Sequence, residues 1–467
     1  MLSRRSFLTR TVATGALFGL GASTARTATE NSARKQAKNI IFMVADGMNP
    51  ASLHATRHFQ KLALGKENTW LSLYDSRPAV RSMIETSSAS GIVTDSSAAS
   101  SCWGSGHRVK NGTVNISPDG KPLETLLVKA KKRGMATGLV TTATATHATP
   151  AGFVANTKNR RDESIIARQY LERRVDIILG GGTKFFDAKL CNEFKSAGYK
   201  IILSRDGLLA QPAAFAPLLG LFAESHLPYT INRDNDPALQ ATAPTLAEMA
   251  SLALRRLGAV SGGFILQIEG ARVDHAAHGN DAASLIRDML AFDDAIVVAL
   301  DFVDKNPDTL LVITTDHGTG GFNINGTGSG YANSTKAFLR LADFTKSYSQ
   351  MRRDVRGLSS GTLAEYLKKV TGLRLVGTDL YNAAVALDAV KALPSNLRPD
   401  VTRQPPVPLQ NVFGPHTSIG WTSGNHTGDL VELAALGPGA ERFKTFLRND
   451  EIHGLLLAAL GEAKVRK

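Results

Sequence analysis

The densest run of side chains able to hold a metal or move a proton is Glu269, Asp274, His275 and His278, with Asp281 close behind. Asp274 and His278 are four apart, so a helix would set both on one face. Asp with His on one face is a spacing that suits zinc. Other candidates stand apart along the chain: Asp46, His147 with Thr149, Asp316 with His317, and His426 within Gly424-Asn425-His426-Thr427-Gly428. Imidazole with carboxylate and no thiolate favours zinc, whereas carboxylate with hydroxyl and water favours magnesium. Asp46, Glu269, Asp274, His278, Asp316, His317 and His426 suffice for two three-ligand sites and one oxygen-rich site. Asp95-Ser96-Ser97-Ala98-Ala99 reads as the start of a helix built of small residues, whose first N–H groups favour an anion. A serine hydroxyl needs activation before it can attack. No Gly-x-Ser-x-Gly surrounds a candidate serine and no Ser-His-Asp set is apparent, so a metal ion is the expected activator.

These residues recur after apolar runs. Asn39–Ala45, Met135–Thr141, Val175–Leu179, Gly263–Ile268 and Thr309–Thr314 are continuous enough for strands buried on both faces. Leu123–Arg133, ended by Gly134, and Asp162–Arg174, Thr245–Leu257 and Ala282–Val303 read as helices between them. The alternation predicts an α/β fold with a doubly wound, mostly parallel sheet and helices on both faces. Ligands in such sheets bind at the carboxyl ends of the strands. One Asp after one strand is ordinarily a helix cap or turn residue, and His416 is read that way. Acids and imidazoles at strand end after strand end need another reason. After Asp316 the pattern changes to a Gly/Asn-rich stretch, helices near Leu358–Val370 and Thr378–Val390, and a Pro-rich stretch over Pro394–Pro408. We read 318–425 as an inserted cap, with 29–317 as the first part of the core and 426–467 as its last part, where Leu430–Ala435 resumes the sheet. A smaller insertion is expected near 205–240.

Residues 1–28 contain Arg4, Arg5, Arg10 and Arg26 and no acid. Ser3-Arg4-Arg5-Ser6-Phe7-Leu8 is a twin-arginine pattern, followed by an apolar stretch shorter than the ~20 residues a membrane span needs and by small residues. This reads as a twin-arginine signal peptide and predicts a periplasmic or secreted protein without a membrane span. The chain has 467 residues, with 54 Lys plus Arg against 41 Asp plus Glu. That surplus suits anionic substrates, and the absence of a long basic run argues against a nucleic-acid partner. Two cysteines, Cys102 and Cys191, allow at most one bridge.

Taken in order, the motifs resemble those of the alkaline phosphatase family. Ala45-Asp46-Gly47-Met48, Val93-Thr94-Asp95-Ser96-Ser97-Ala98-Ala99, and Ala148-Thr149-Pro150 leading to Asn159-Arg160 match its first three segments. Glu269-Gly270-Ala271 with Asp274 and His278, then Thr315-Asp316-His317 and His426-Thr427-Gly428, match the rest. The resemblance implies a phosphate monoesterase working through a phosphoserine, with two zinc ions and one magnesium. It assigns Ser96 as nucleophile and Arg160 as the phosphate-binding arginine. Asp274, His278 and His426 would hold one zinc; Asp46, Asp316 and His317 the other; Asp46, Thr149 and Glu269 the magnesium. His147 and His275 would stand behind the ligands. The family also implies a homodimer. Ser100-Ser101 departs from the family's usual small residue followed by Thr. The alternatives are a phosphodiesterase on the same scaffold, which has less charge for Arg160 to bind, and an inactive metal- or phosphate-binding protein.

Overall fold

The structure, a computed structural model, describes residues 36–394 and 408–462. The expected signal peptide and most of the Pro-rich stretch lie outside the described residues.

The first strand, β1 (Asn39–Val44), is buried along its whole length. Its side chains alternate between two apolar layers: Ile41 and Met43 enter one, and Ile40, Phe42 and Val44 the other. That is why the run lacks a polar alternation. It is joined by β2 (Val80–Glu85), β3 (Ala136–Thr144), β4 (Ile177–Gly181), β5 (Lys200–Ile202), β6 (Leu218–Leu221), β7 (Phe264–Glu269) and β8 (Thr309–Thr314). Two short ladders follow, from β9 (Gly318–Thr319) with β12 (His426–Thr427) and β10 (Asn323–Ile324) with β11 (Ile419–Gly420). Finally, β13 (Val431–Leu436) and β14 (Phe446–Arg448) complete a ten-stranded sheet in the order β14-β2-β13-β8-β1-β7-β3-β4-β6-β5. Every neighbouring pair is parallel except those of β13, which runs antiparallel to β2 and β8. Helices cover both faces, so the doubly wound α/β expectation holds.

The apolar runs became strands within one or two residues at most ends. The expected helix over Leu123–Arg133 is shorter, Leu126–Lys132, with Thr125 at its N-cap. The N–H of Leu123 is already used by the carbonyl of Asn115 (2.9 Å), which keeps the preceding residues extended. Strands β2, β5, β6 and β14 were not visible in the sequence. They are short or polar, and β6 lies inside the stretch expected as an insertion near 205–240, where it pairs between β4 and β5. Apolar side chains between β10 and β11, among them Phe338, Phe344, Leu363, Leu367 and Phe413, pack into the same layer as the helices Leu246–Leu257 and Ala282–Lys305.

The reversed strand matters for the site. The residues before β13 arrive at the carboxyl ends of the parallel strands, because β13 starts where β8 stops. Thus His426, 110 positions after Asp316 in sequence, comes to the same edge. It is pinned there by the pairing of His426 with Thr319.

Candidate active site and metal centre

Asp95 caps the helix Ser96–Ser105: its Oδ1 accepts from the Ala98 N–H (2.9 Å) and both its oxygens accept from the Ser97 hydroxyl. Ser96 therefore opens the helix, buried among the ligand candidates. The small residues of this helix have a packing reason. A Cβ on Gly104 would lie 1.8 Å from the Gly152 carbonyl oxygen, so only glycine lets the short helix Ala148–Gly152 approach. Ser100 donates to the Thr149 carbonyl (2.5 Å), and Ser101 donates to Ser97 O while accepting from the Asn115 N–H. Ser100 thus ties Thr149 to the helix that carries Ser96, and Ser101 ties Asn115 to the same helix.

Around Ser96 the ring nitrogens settle what the site is built for. His278 Nδ1 faces the Gly424 carbonyl (2.7 Å) and His426 Nδ1 faces the Thr94 carbonyl (2.8 Å). A carbonyl only accepts, so both Nδ1 atoms carry the proton and both Nε2 atoms present lone pairs. Those lone pairs lie 3.1 Å apart, beside Asp274 Oδ2 at 3.3 Å from His278 Nε2. His317 repeats the pattern. Thr319 donates its hydroxyl proton to Asp274 Oδ1 (2.7 Å), so its oxygen accepts from His317 Nδ1 (3.2 Å). His317 Nε2 then points its lone pair at Ser96 Oγ (3.2 Å), Asp316 Oδ2 (3.0 Å) and Asp46 Oδ1 (3.9 Å). Ser96, His317 and Asp316 are therefore close, yet they are no catalytic triad. A triad places the carboxylate on the other ring nitrogen; here serine and carboxylate meet the same one. Lone pairs and carboxylate oxygens converging with too few donors to pair them describe a candidate cation site.

The buried carboxylates agree. Asp46 Oδ1, Asp316 Oδ2 and Glu269 Oε1 are enclosed without a hydrogen-bond partner, as is His147 Nδ1. Burial, then the charges of Asp316, Asp274 and Glu269, push the Asp46 carboxyl well above its usual range. Burial also opposes ionisation of Asp316, but His317, where its Nε2 carries a proton instead of facing a cation, and the Gly47 N–H (3.0 Å) hold it below the usual range. Burial, then His317, holds His426 down to about 4. Three groups have ligand atoms close enough to share an ion: Asp274 with His317 and His426, Asp46 with Asp316 and His317, and Asp46 with His147 and Glu269. His278 adjoins the first through Asp274 and His426. Thr149 adjoins the third, donating to Asp46 Oδ2 at 3.3 Å. Asp46 bridges two groups, as its place at the end of the central strand allows.

Arg160 is held beside this centre. Its Nη1 donates to Asp95 Oδ2 (3.1 Å) and its Nη2 to His147 Nε2 (3.2 Å). Burial favours the neutral form of Asp95, but Arg160 and the Ala98 and Gly112 N–H groups outweigh it and keep the carboxyl below its usual range. His275 accepts from Arg272 through Nδ1 (2.8 Å), and burial, then Arg272, pushes its pKa well down. His416 lies in the helix Leu409–Thr417, paired with Asp379 at 3.2 Å, away from these groups.

Sequence reasoning gave no role to four participants. Thr319 fixes both Asp274 and His317; only its position two residues after His317 hinted at it. Thr315 accepts from the Met48 N–H and donates to the His317 carbonyl. Gly47, at φ +72°, lets the turn after β1 lie against Asp274. His226 follows the unforeseen β6 and joins a cleft of 560 Å³ lined by Asp95, His147, Arg160, Arg161, Glu163 and His275 among others. Cys102 and Cys191 are both free. No helix among the described residues is long and apolar enough to cross a membrane.

Residues 37–461 match the family model described as alkaline phosphatase. The chain belongs to the alkaline phosphatase family. It is 32% identical to alkaline phosphatase 3 of Bacillus subtilis, over 91% of this chain and 89% of the relative, and 29% identical to alkaline phosphatase 4 of the same organism, over 93% and 92%. The crystal structure of Thermus thermophilus alkaline phosphatase superposes with a TM-score of 0.81 at 32% identity, covering 96% of each chain. The protein is a phosphatase of this metal-dependent family, and the groups described above are its candidate metal ligands.

Proposed function

We propose that the enzyme hydrolyses phosphate monoesters by way of a phosphoserine on Ser96, using two zinc ions and one magnesium, after export by the twin-arginine route. The observation that carries this is the set of imidazole lone pairs and unpartnered carboxylate oxygens gathered around Ser96 Oγ. The residues fit the metals. Asp274, His278 and His426 offer nitrogen and oxygen suited to one zinc, and Asp46, Asp316 and His317 suit the other. Glu269, Thr149 and the second oxygen of Asp46 form a harder, oxygen-rich set suited to magnesium, with His147 beside it. When bound, such ions make the serine oxygen a stronger nucleophile and stabilise the departing alkoxide.

The chain's own groups supply the rest. Ser96 Oγ bonds to phosphorus as the ester P–O bond breaks, and the leaving oxygen ends as an alcohol after taking a proton. Water then cleaves the serine phosphate, releasing inorganic phosphate and restoring Ser96. Arg160 presents two N–H groups that match two non-bridging oxygens of a dianionic phosphoryl group. Asp95 aims that fork, and burial of Ser96 restricts competing water.

The test is direct. Protein stripped by chelator should lose phosphomonoesterase activity and regain it with zinc and magnesium. Incubation with a phosphate monoester at low pH should trap phosphate on Ser96, and Ser96→Ala should trap none while keeping its fold and metal content. Phosphate found on another residue would refute the nucleophile assignment.

A further inference from the structure

The cleft beside Arg160 holds two imidazoles whose protons are fixed by their partners. His226 Nδ1 accepts from the backbone N–H of Thr144 (3.2 Å), and His275 Nδ1 accepts from the guanidinium of Arg272. Neither donor can reverse its role, so each ring is neutral with its proton on Nε2. The two rings touch, with centroids 4.4 Å apart. Neither Nε2 has a partner among the described residues, and neither is sealed from solvent. His226 is also built in rather than loose. The Leu227 N–H donates to the Thr142 carbonyl (3.0 Å), and the Gly182 N–H donates to the Ala223 carbonyl (2.9 Å). This segment therefore lies along the ends of β3 and β4.

The charges of the cleft are unequal in availability. Asp95 is occupied by Arg160, by the Ala98 and Gly112 N–H groups and by the Ser97 hydroxyl. Glu163 accepts from the hydroxyls of Thr144 (2.6 Å) and Thr146 (2.7 Å), both at Oε2, and its other oxygen has no partner among the described residues. The Arg161 guanidinium is exposed and has no partner among the described residues. What remains uncommitted is two N–H donors, one cation and the second oxygen of Glu163, so the groups that seek an acceptor outnumber the one free carboxylate oxygen. Its cleft is large enough for a small-molecule substrate.

We propose that His226, His275 and Arg161 form a second anion subsite that selects phosphate monoesters carrying a further phosphate group near the scissile one. The inference rests on the phosphomonoesterase reading above. Glucose 6-phosphate and glucose 1,6-bisphosphate make a matched pair of probes for the metal-loaded enzyme. His226→Ala and Arg161→Ala should each lower the ratio of kcat/KM for the bisphosphate over the monophosphate by about tenfold, the loss of one hydrogen bond to a charged group. The loss should appear mainly in KM, and His226→Gln, which keeps an N–H donor, should recover part of it. Arg161→Ala alters only an exposed side chain, so it decides the matter if His226→Ala does not fold. An unchanged ratio in the folded variants would overturn the subsite. Failure of wild type to release phosphate from either sugar would instead overturn the activity reading, and the subsite with it.

Discussion

Substituting Gly47 by alanine should damage the metal centre through backbone contact alone. Gly47 sits at φ +72°, where a Cβ would come 2.5 Å from Asp274 Oδ1 and 2.7 Å from its Cα. Real side chains do not approach that closely, and Asp274 cannot retreat easily, because Thr319 holds its Oδ1. Two terms add. The left-handed conformation disfavours a side chain by about 1–2 kcal/mol, and overpacking in a rigid interior adds about 1–3 kcal/mol. Gly65 separates the two, since it has a similar φ of +65° at the end of the helix Pro50–Leu64 and nothing within 4 Å of an added Cβ. Gly65→Ala should therefore destabilise by about 1–2 kcal/mol, and Gly47→Ala by about 2–5 kcal/mol. For a chain of this length the unfolding entropy makes 1 kcal/mol worth about 1 °C in Tm, so calorimetry resolves the two. Displacing Asp274 should also weaken the zinc proposed to bind there about 10–100-fold, the range seen when the support of a ligand is lost, whereas Gly65→Ala should leave that affinity unchanged. Chelator competition measures that. Equal Tm losses in the two variants, with wild-type zinc affinity in Gly47→Ala, would refute the argument that this turn is shaped around Asp274.

Asp95→Asn keeps a helix-capping side chain but removes the charge that orients Arg160; kcat/KM for a phosphate monoester should fall about tenfold, with Tm changed by no more than the small effect of an N-cap exchange. His453 gives a pH dependence away from the metal centre. It is buried, donates from Nδ1 to the Trp103 carbonyl (2.8 Å) and accepts from Lys129 (2.9 Å), and burial, then Lys129, lowers its pKa to about 4. The unfolded chain binds the extra proton first, so the stability from neutral His453 is fully present above about 6.5 and is lost as pH falls towards 4. Between pH 7 and 5 this amounts to about 2 kcal/mol; urea unfolding of His453→Gln should show a correspondingly shallower fall with acid, and parallel curves would count against it.

Much of the site was legible because local chemistry and local periodicity agree. Asn39–Val44, Phe264–Glu269 and Thr309–Thr314 must be buried on both faces, so their unbroken apolar runs identify parallel strands. Polar residues just beyond such runs can only lie at the ligand-binding edge, which put Asp46, Glu269, Asp316 and His317 together before any contact was known. The helical spacing of Asp274 and His278 also placed both on one face. The order of the motifs then identified the family. What the tertiary structure alone decided depends on pairing across long sequence distances. The reversal of β13 brings His426 to Thr319, and no local pattern specifies whether a six-residue apolar strand runs parallel or antiparallel to its neighbour. The three-residue β5 and four-residue β6 fall below the length at which periodicity carries a signal, so His226 had no element to position it. The tautomers of His278, His317 and His426 follow from carbonyl and hydroxyl partners brought in from other segments or by the local turn. Composition can supply the nitrogens of a metal centre, but only the fold determines which of them face one another with their lone pairs.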